Sequence, residues 1–374
     1  MAEYIENGAR LGWLINPKEK EVYIYRPNQE VEILQSPQTI SGEDVLQKFQ
    51  LDLTEFWIRF SLRLNFFSMP KKRSRFQTKI EYFAVRGLIG AIGVFPLKTS
   101  MSIGKNAGKF IGSIVPKLKK TGRRNLEIAL PELSEDEKEQ ILDGTFESLG
   151  RHLGFVSHFR RFKLKDIRSL IRVTGLENFE KAKATNRGII FFTGHFGSWE
   201  VFNLLPPAFG YSMNILVRRI DNPLVEKFVD TFRTRFGCQT LDKKQSARRM
   251  FRVLENGEIL GILADLNVQE REGIFVDFFG VPASTTTSIA KLALNTNAIV
   301  LPAFAVWNEE EQKYVVHLEP PVEYEKSENA EEDLRNLTQD ITTVVEKYVR
   351  AFPKQWLWIH KRWNTRPKGE PQLY

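Results

Sequence analysis

Between residues 188 and 304 the chain alternates short apolar runs with longer amphipathic stretches. The runs at 188–193, 213–217, 259–263 and 298–304 are rich in Ile, Val, Leu and Phe and carry no charged residue. Runs of that length and composition predict buried strands. Helix-period stretches lie around 199–208, 223–236, 244–256 and 286–296. Strands alternating with helices predict an α/β fold with a mostly parallel sheet. Residues 315–318 read as an edge strand and 330–351 as a C-terminal helix. Upstream, Ser134-Glu-Asp-Glu after Pro131 is a helix start with a capping-box spacing, and the helical tract runs to about 162. Residues 80–97 and 102–115 mix apolar blocks with Gly and isolated charges, next to Lys117, Lys119, Lys120, Arg123 and Arg124. An apolar face beside cations fits an interfacial membrane helix and a core-facing helix equally.

Residues 1–57 have a different character. Strand-like runs at 11–15 and 21–25 flank the turn Asn16-Pro-Lys-Glu, and 31–34 adds a third strand. A short segment from Ser41 ends near Trp57. Residues 58–79 form a basic connector, 80–367 the main domain and 368–374 a tail.

Composition narrows the class. The chain has 374 residues, 42% of them hydrophobic, with 28 Phe and one Cys. That apolar mass suffices for a large core, and a single Cys excludes an intrachain disulfide framework. No His/Cys spacing suggests a structural zinc, and no metal is expected. The first residues do not read as a signal peptide, and the charge-free stretch at 87–97 is too short to span a bilayer. Net charge is +8, although residues 1–57 hold ten Asp/Glu against five Lys/Arg. The basic remainder suits a phosphate-bearing partner.

The segment from Gly188 to Glu200 carries the chemistry. The apolar run ends in Gly194-His195-Phe196-Gly197-Ser198-Trp199-Glu200. Open α/β sheets place their sites at the carboxyl ends of strands. An isolated His in such a loop is more often structural; the Gly-bracketed turn after a buried strand makes a general base an equal reading. Residues five apart do not share a helix face, so His195 and Glu200 cooperate only if the backbone turns, which Gly194 and Gly197 permit. Ser198 is positioned to cap a helix with Glu200 in its first turn. Glu200 would then hold the ring nitrogen that does not take the substrate proton.

From about residue 77 to 367 the chain resembles the bacterial lipid A biosynthesis acyltransferases of the lysophospholipid acyltransferase superfamily. The motifs, in order, are Arg123-Arg-Asn-Leu-Glu-Ile-Ala-Leu-Pro; the His195-to-Glu200 box; Val217-Arg-Arg-Ile-Asp-Asn-Pro, with Arg233 and Arg235 beyond it; Asp265, then Gly273-Ile-Phe-Val-Asp-Phe-Phe-Gly-Val-Pro; Pro302; and Trp356-Leu-Trp-Ile-His-Lys-Arg-Trp. The resemblance implies transfer of a fatty acyl group from an acyl thioester, acyl carrier protein or acyl-CoA, to a hydroxyl of a glycolipid acceptor, a lipid A precursor. It implies His195 as base and Glu200 as its partner, with no cofactor and no metal. Arg218 and Arg219 are candidates for phosphate or oxyanion contact, and Asn222 for positioning them. Gly273, Phe275, Phe279, Gly280 and Pro282 are candidates for an acyl-chain groove, although core packing is the commoner role of each Phe. Asp265 follows a strand and is a further candidate. The stretch 356–366, with His360, reads as structural or lipid-facing. Family members often carry Gln after the Asp; here Leu266-Asn267 follows. The implied location is the cytoplasmic face of the inner membrane. An alternative is acylation of another phospholipid or glycolipid from acyl-CoA.

Residues 1–57 resemble the C-terminal end of a restriction-endonuclease-like family of the PD-(D/E)XK fold, through Glu3-Tyr-Ile-Glu-Asn-Gly-Ala-Arg-Leu-Gly-Trp-Leu-Ile-Asn-Pro, Val22-Tyr-Ile-Tyr-Arg-Pro and Ser41-Gly-Glu-Asp-Val-Leu. That family's metal-binding residues lie upstream of this string. No nuclease activity and no nucleic-acid partner is therefore expected. A gene fusion or a misplaced start codon would account for the piece, and Met69 is then the expected start of the acyltransferase. The basic clusters lack a nucleic-acid reader motif.

Overall fold

In the computed structural model, residues 4–5, 7–16, 19–54, 56–57, 74–243 and 246–374 are described. The chain divides into two compact units, Met1–Arg75 and Phe76–Tyr374. The expected connector at 58–79 falls largely outside the described residues, as does Met69; its last residues already belong to a helix beginning at Arg75.

In the first unit, the three expected strands β1 (Gly12–Asn16), β2 (Glu21–Tyr25) and β3 (Glu32–Gln35) form an antiparallel meander. β4 (Thr39–Ser41) and β5 (Gln50–Asp52) pair separately. Val22, Ile24, Ile40, Leu53 and Trp57 make a small core. Arg26 on its surface bridges Glu43 and Glu32, at 2.5 and 2.7 Å.

The second unit opens with four helices, α1 (Arg75–Ile92), α2 (Leu97–Ile114), α3 (Pro116–Ala129) and α4 (Glu135–Val156). Ser134 closes the expected capping box with Glu137 at the start of α4. Helices α2 and α4 meet through glycines. A Cβ on Gly104 would lie 2.1 Å from the Gly150 carbonyl oxygen, one on Gly108 2.1 Å from that of Phe146, and one on Gly154 2.4 Å from that of Ser100. Only residues without a side chain allow two helix backbones to approach so closely.

Beyond α5 (Leu164–Leu170), β6 (Ile171–Thr174) and α6 (Leu176–Ala184) comes β7 (Ile189–Thr193), the centre of a seven-stranded sheet. The remaining strands are β8 (Asn214–Val217), β9 (Gln239–Asp242), β10 (Ile259–Leu263), β13 (Ile299–Asn308) and β14 (Lys313–Leu318), in the order β6-β14-β13-β7-β10-β8-β9. β13, β7, β10, β8 and β9 run parallel; β14 reverses in a hairpin from β13, and β6 follows β14. The mostly parallel α/β sheet is as the sequence indicated. Ile190 and Phe192 enter one core, Ile189 and Phe191 the other. With both faces covered, β7 has no polar face to show, which explains its unbroken apolar run.

Two expectations change. Residues 315–318 are a strand but not an edge, because β6 pairs with β14 on its outer side. β6 and β9 read as Ile-Arg-Val-Thr and Gln-Thr-Leu-Asp, too short and too polar to stand out. Helices α8 (Pro223–Arg233), α9 (Ala247–Glu255), α10 (Ser288–Thr296) and α11 (Ala330–Ala351) follow the expected pattern. The 199–208 stretch is instead a 3-10 helix, Trp199–Asn203, and a single α turn, α7 (Leu205–Ala208). An antiparallel hairpin, β11 (Gly273–Phe278) and β12 (Val281–Thr286), stands outside the main sheet.

Candidate active site

β7 and β10 are parallel neighbours, and Leu263 lies opposite Thr193. The residues leaving the two strands therefore emerge side by side. Gly194 and His195 follow one strand, Ala264 and Asp265 the other, and the Ala264 amide donates to the Thr193 carbonyl at 2.9 Å. This register brings together two side chains 70 positions apart. His195 Nδ1 lies 2.8 Å from Asp265 Oδ1. Asp265 Oδ2 accepts the His195 backbone N–H at 2.7 Å and the Trp356 indole N–H at 2.8 Å. The Asp265 side chain is fully buried, while the His195 side chain stays 14% exposed. Gly194 leaves room for this: a Cβ there would stand 3.0 Å from Asp265 Oδ2.

Burial opposes a charge on Asp265. The facing His195 ring, its two N–H bonds and the indole outweigh that and hold the carboxyl below its ordinary range. An ionised carboxylate only accepts, so Nδ1 of His195 carries a proton, and in the neutral imidazole the lone pair then lies on Nε2.

The expected bond from Glu200 to His195 is therefore corrected: the carboxylate on the imidazole is that of Asp265. Glu200 turns to Arg233 at the end of α8, with Arg233 Nη2 2.5 Å from Oε1 and Nε 3.2 Å from both oxygens. Asn203 also donates to Glu200. Burial works against the Glu200 charge, but Arg233 prevails and its carboxyl sits low. Ser198 does not cap the 3-10 helix; its hydroxyl meets His152 Nδ1 of α4 at 2.9 Å. The His152 ring stacks on Trp199, centroids 4.2 Å apart, and Trp199 meets His195 edge to face at 5.0 Å. His152 is a member of this site that reading along the chain missed, since nothing in its local pattern points to it, and Trp356, in the stretch read as structural or lipid-facing, is another.

Burial pushes the His152 imidazole down to about 4, against the attraction of Glu200. Neutral when folded and protonated when unfolded, it costs stability as pH falls below 6.5, with the loss complete below about 4. His158, His317 and His360 are shifted the same way by burial. Replacing His152 by Gln is thus expected to flatten the fall in stability between pH 6.5 and 4, recovering ~3 kcal/mol at the acid end. Urea melts of both proteins across that range check it; parallel curves would refute it.

The other expected residues are placed as follows. Arg218 is exposed beyond β8. Arg219 is taken up by Glu226 at 2.8 Å, with Asp230 and Asp242 at 3.7 and 3.8 Å. Asn222 is 1% exposed and caps α8 through the Leu224 and Val225 amides, and its Nδ2 reaches Thr78 and Glu81 of α1. It thus joins two helices and does not orient the arginines. In the hairpin, Phe279 packs on Trp358 and under Arg350, and turns the chain with Gly280 at φ +60 and +73. A Cβ on Gly273 would fall 2.2 Å from the Thr285 carbonyl oxygen, so Gly there is a condition of strand pairing. Phe275 is half-buried, and its carbonyl accepts from Arg335 of α11; Pro282 is exposed and its carbonyl accepts from Arg366. These five build the hairpin.

The C-terminal stretch closes the site from behind. Phe196 bridges to Trp356, and Gly197 donates to the Gln355 carbonyl at 3.0 Å. His360 Nε2 accepts the Asn267 amide at 3.1 Å, while Asn267 exchanges side-chain bonds with Thr365. Arg362, 1% exposed, pins β12 through the Ser284 carbonyl and the Thr285 hydroxyl. The structural reading of 356–366 fits this arrangement.

A family model described as bacterial lipid A biosynthesis acyltransferase matches residues 69–365. The chain belongs to this family. Similar proteins include the lipid A biosynthesis lauroyltransferase of Escherichia coli (strain K12), 28% identical over 293 residues, covering 77% of this chain and 92% of that protein. The lipid A biosynthesis acyltransferase of Haemophilus influenzae is 26% identical over 263 residues, 70% of this chain and 81% of that protein. The lipid A biosynthesis myristoyltransferase of E. coli is 24% identical over 286 residues, 76% and 87%. This family member is accordingly an acyltransferase. Residues 1–54 match a restriction-endonuclease-like family. Among the described residues no group of three or more His, Cys, Asp and Glu could hold a metal.

Proposed function

We propose that the protein transfers a fatty acyl group from an acyl thioester to a hydroxyl of a lipid A precursor, with His195 as general base. The observation that supports this best is the partly exposed imidazole whose Nδ1 is held by the buried Asp265. His195 Nε2 takes the proton of the acceptor hydroxyl as its oxygen attacks the thioester carbonyl. Asp265 orients the ring and stabilises the imidazolium. The tetrahedral intermediate collapses, the C–S bond breaks, and the imidazolium returns its proton to the thiolate. No covalent enzyme intermediate and no cofactor is required. Glu200 with Arg233 fixes the loop that presents His195, and the exposed Arg218 is the candidate for the substrate's phosphate.

The proposed donor is acyl carrier protein or acyl-CoA, and the proposed place is the cytoplasmic face of the inner membrane. Among the described residues no helix is long and apolar enough to cross a membrane. Phe76, Ile80 and Phe83 of α1 are 74, 52 and 64% exposed, and Phe110 and Ile114 of α2 64 and 57%. Large apolar side chains along two exposed helices, beside Lys and Arg, support peripheral docking on lipid.

The test is transfer from labelled acyl carrier protein and acyl-CoA to a lipid A precursor, by the full chain, by His195→Ala, and by a chain starting at Met69. His195→Ala is expected to be inactive and the shortened chain active. Full activity in His195→Ala would remove the base from the mechanism. Transfer only to other lipids would move the acceptor to the alternative class.

A further inference from the structure

A cavity of about 530 Å³ opens between α1, the turn after α4, and α8. Four cations line it: Arg86, Arg160, Lys227 and Arg235. Among the described residues no acidic side chain does. Its floor is aromatic, Tyr82 meeting Phe228 edge to face at 6.1 Å. Neither His195 nor Glu200 belongs to it.

The pairing of charges is what distinguishes this cavity. Arg219 and Arg233, near its lining residues in sequence, are each matched by a carboxylate, Glu226 and Glu200. The four cavity cations have no ion-pair partner among the described residues. Among the described residues Arg86 donates a hydrogen bond only to the Tyr82 hydroxyl, at 2.7 Å, and Arg235 only to the Phe159 carbonyl, at 3.1 Å. Tyr82 and Arg86 are four apart on α1, so they share one face. Four like charges converging on one concavity repel one another, and an anion relieves that repulsion. Arg and Lys with several free donors suit phosphate oxygens. Along the neighbouring strip of α1, Phe76, Ile80 and Phe83 point into solvent. An occupant that satisfies both surfaces has a phosphate head and apolar chains.

We propose that this cavity binds the phosphate of an amphiphile, whose chains lie along the exposed strip of α1. The phosphate is that of a bilayer phospholipid or that of a phosphorylated acceptor. The second source rests on the acyl-transfer reading above, and the first does not.

The test reads binding by the full chain, not turnover. Arg86→Gln with Arg235→Gln is compared with Arg248→Gln plus Lys291→Gln, which removes the same charge from exposed positions outside the cavity. The probes are vesicles of phosphatidylcholine with and without phosphatidylglycerol, and a phosphorylated glycolipid in neutral micelles before and after phosphatase treatment. The cavity pair is expected to weaken binding by ~10–30-fold, from about fivefold per cation near an anionic surface, and the remote pair far less. Loss confined to phosphatidylglycerol vesicles assigns the bilayer source; loss confined to the phosphorylated glycolipid assigns the acceptor. Equal binding by the two double variants in both arms overturns the proposal. His195→Ala is expected to bind like the parent chain, so a wrong acyl-transfer reading and a wrong cavity reading give different results.

Discussion

Replacing Asp265 by Asn is expected to lower kcat on the order of 10⁴-fold, the scale set by losing the carboxylate of a Ser-His-Asp triad. The side chain is nearly isosteric, so the cause is protonic. An Asn amide can donate to Nδ1, which moves the imidazole proton to Nε2 and removes the base. It also cannot stabilise the imidazolium. Asp265 is fully buried with three N–H donors around it, so no water substitutes for the lost charge. Glu200→Gln acts differently. It leaves the Arg233 guanidinium, whose side chain is 16% exposed, without its carboxylate. Breaking one side of such a pair costs ~3 kcal/mol or more. Its main signature is therefore a lower melting temperature. Single-turnover acyl transfer with thermal melts of both variants separates the roles. A folded Asp265→Asn protein with near-parent kcat, beside an inactive but stable Glu200→Gln, would return the imidazole to Glu200.

The second large effect is on stability. Gly150→Val is expected to destabilise the acyltransferase unit by ~3–5 kcal/mol, at the upper end of overpacking costs. A Cβ at 150 would stand 2.0 Å from the Gly104 carbonyl oxygen and 3.0 Å from the Gly108 Cα. Both are backbone atoms, so relief requires α2 and α4 to separate. α4 carries His152, and separation also moves the ring stacked against Trp199. Gly90→Ala is the control, because nothing lies within 4 Å of a Cβ there. A helix interior favours Ala over Gly by ~1 kcal/mol, so the control is neutral or slightly stabilising. Differential scanning calorimetry reads both; a Gly150→Val protein melting with the parent would refute the close contact.

Much of the architecture was legible because the central parallel strands are covered on both faces and read as near-continuous apolar runs. β7 and β10 match their apolar runs, and α11 runs over the expected residues. The Ser134–Glu137 capping box closes as its spacing indicated, since every group in it is local. Short strands with charged or polar residues, β6 and β9, were not legible. Their place depends on pairing with β14 and β8 rather than on any local preference.

The site divides along the same line. The residues of the His195 loop and the position of Asp265 after a strand could be read from order and composition, because a Gly-bracketed turn and a strand end are local features. Which carboxylate faces the imidazole could not. Glu200 is five residues away and Asp265 seventy, yet the β7–β10 register places Asp265 against the ring, while the 3-10 turn carries Glu200 to Arg233. Asn222 shows the same limit: its side chain serves two helix ends that meet only after folding. Sequence alone thus determined which elements form and which chemistry they offer, since periodicity and residue type act over a few residues. Tertiary structure decided who partners whom, because hydrogen bonds and ion pairs are set by distances that only packing and strand register establish.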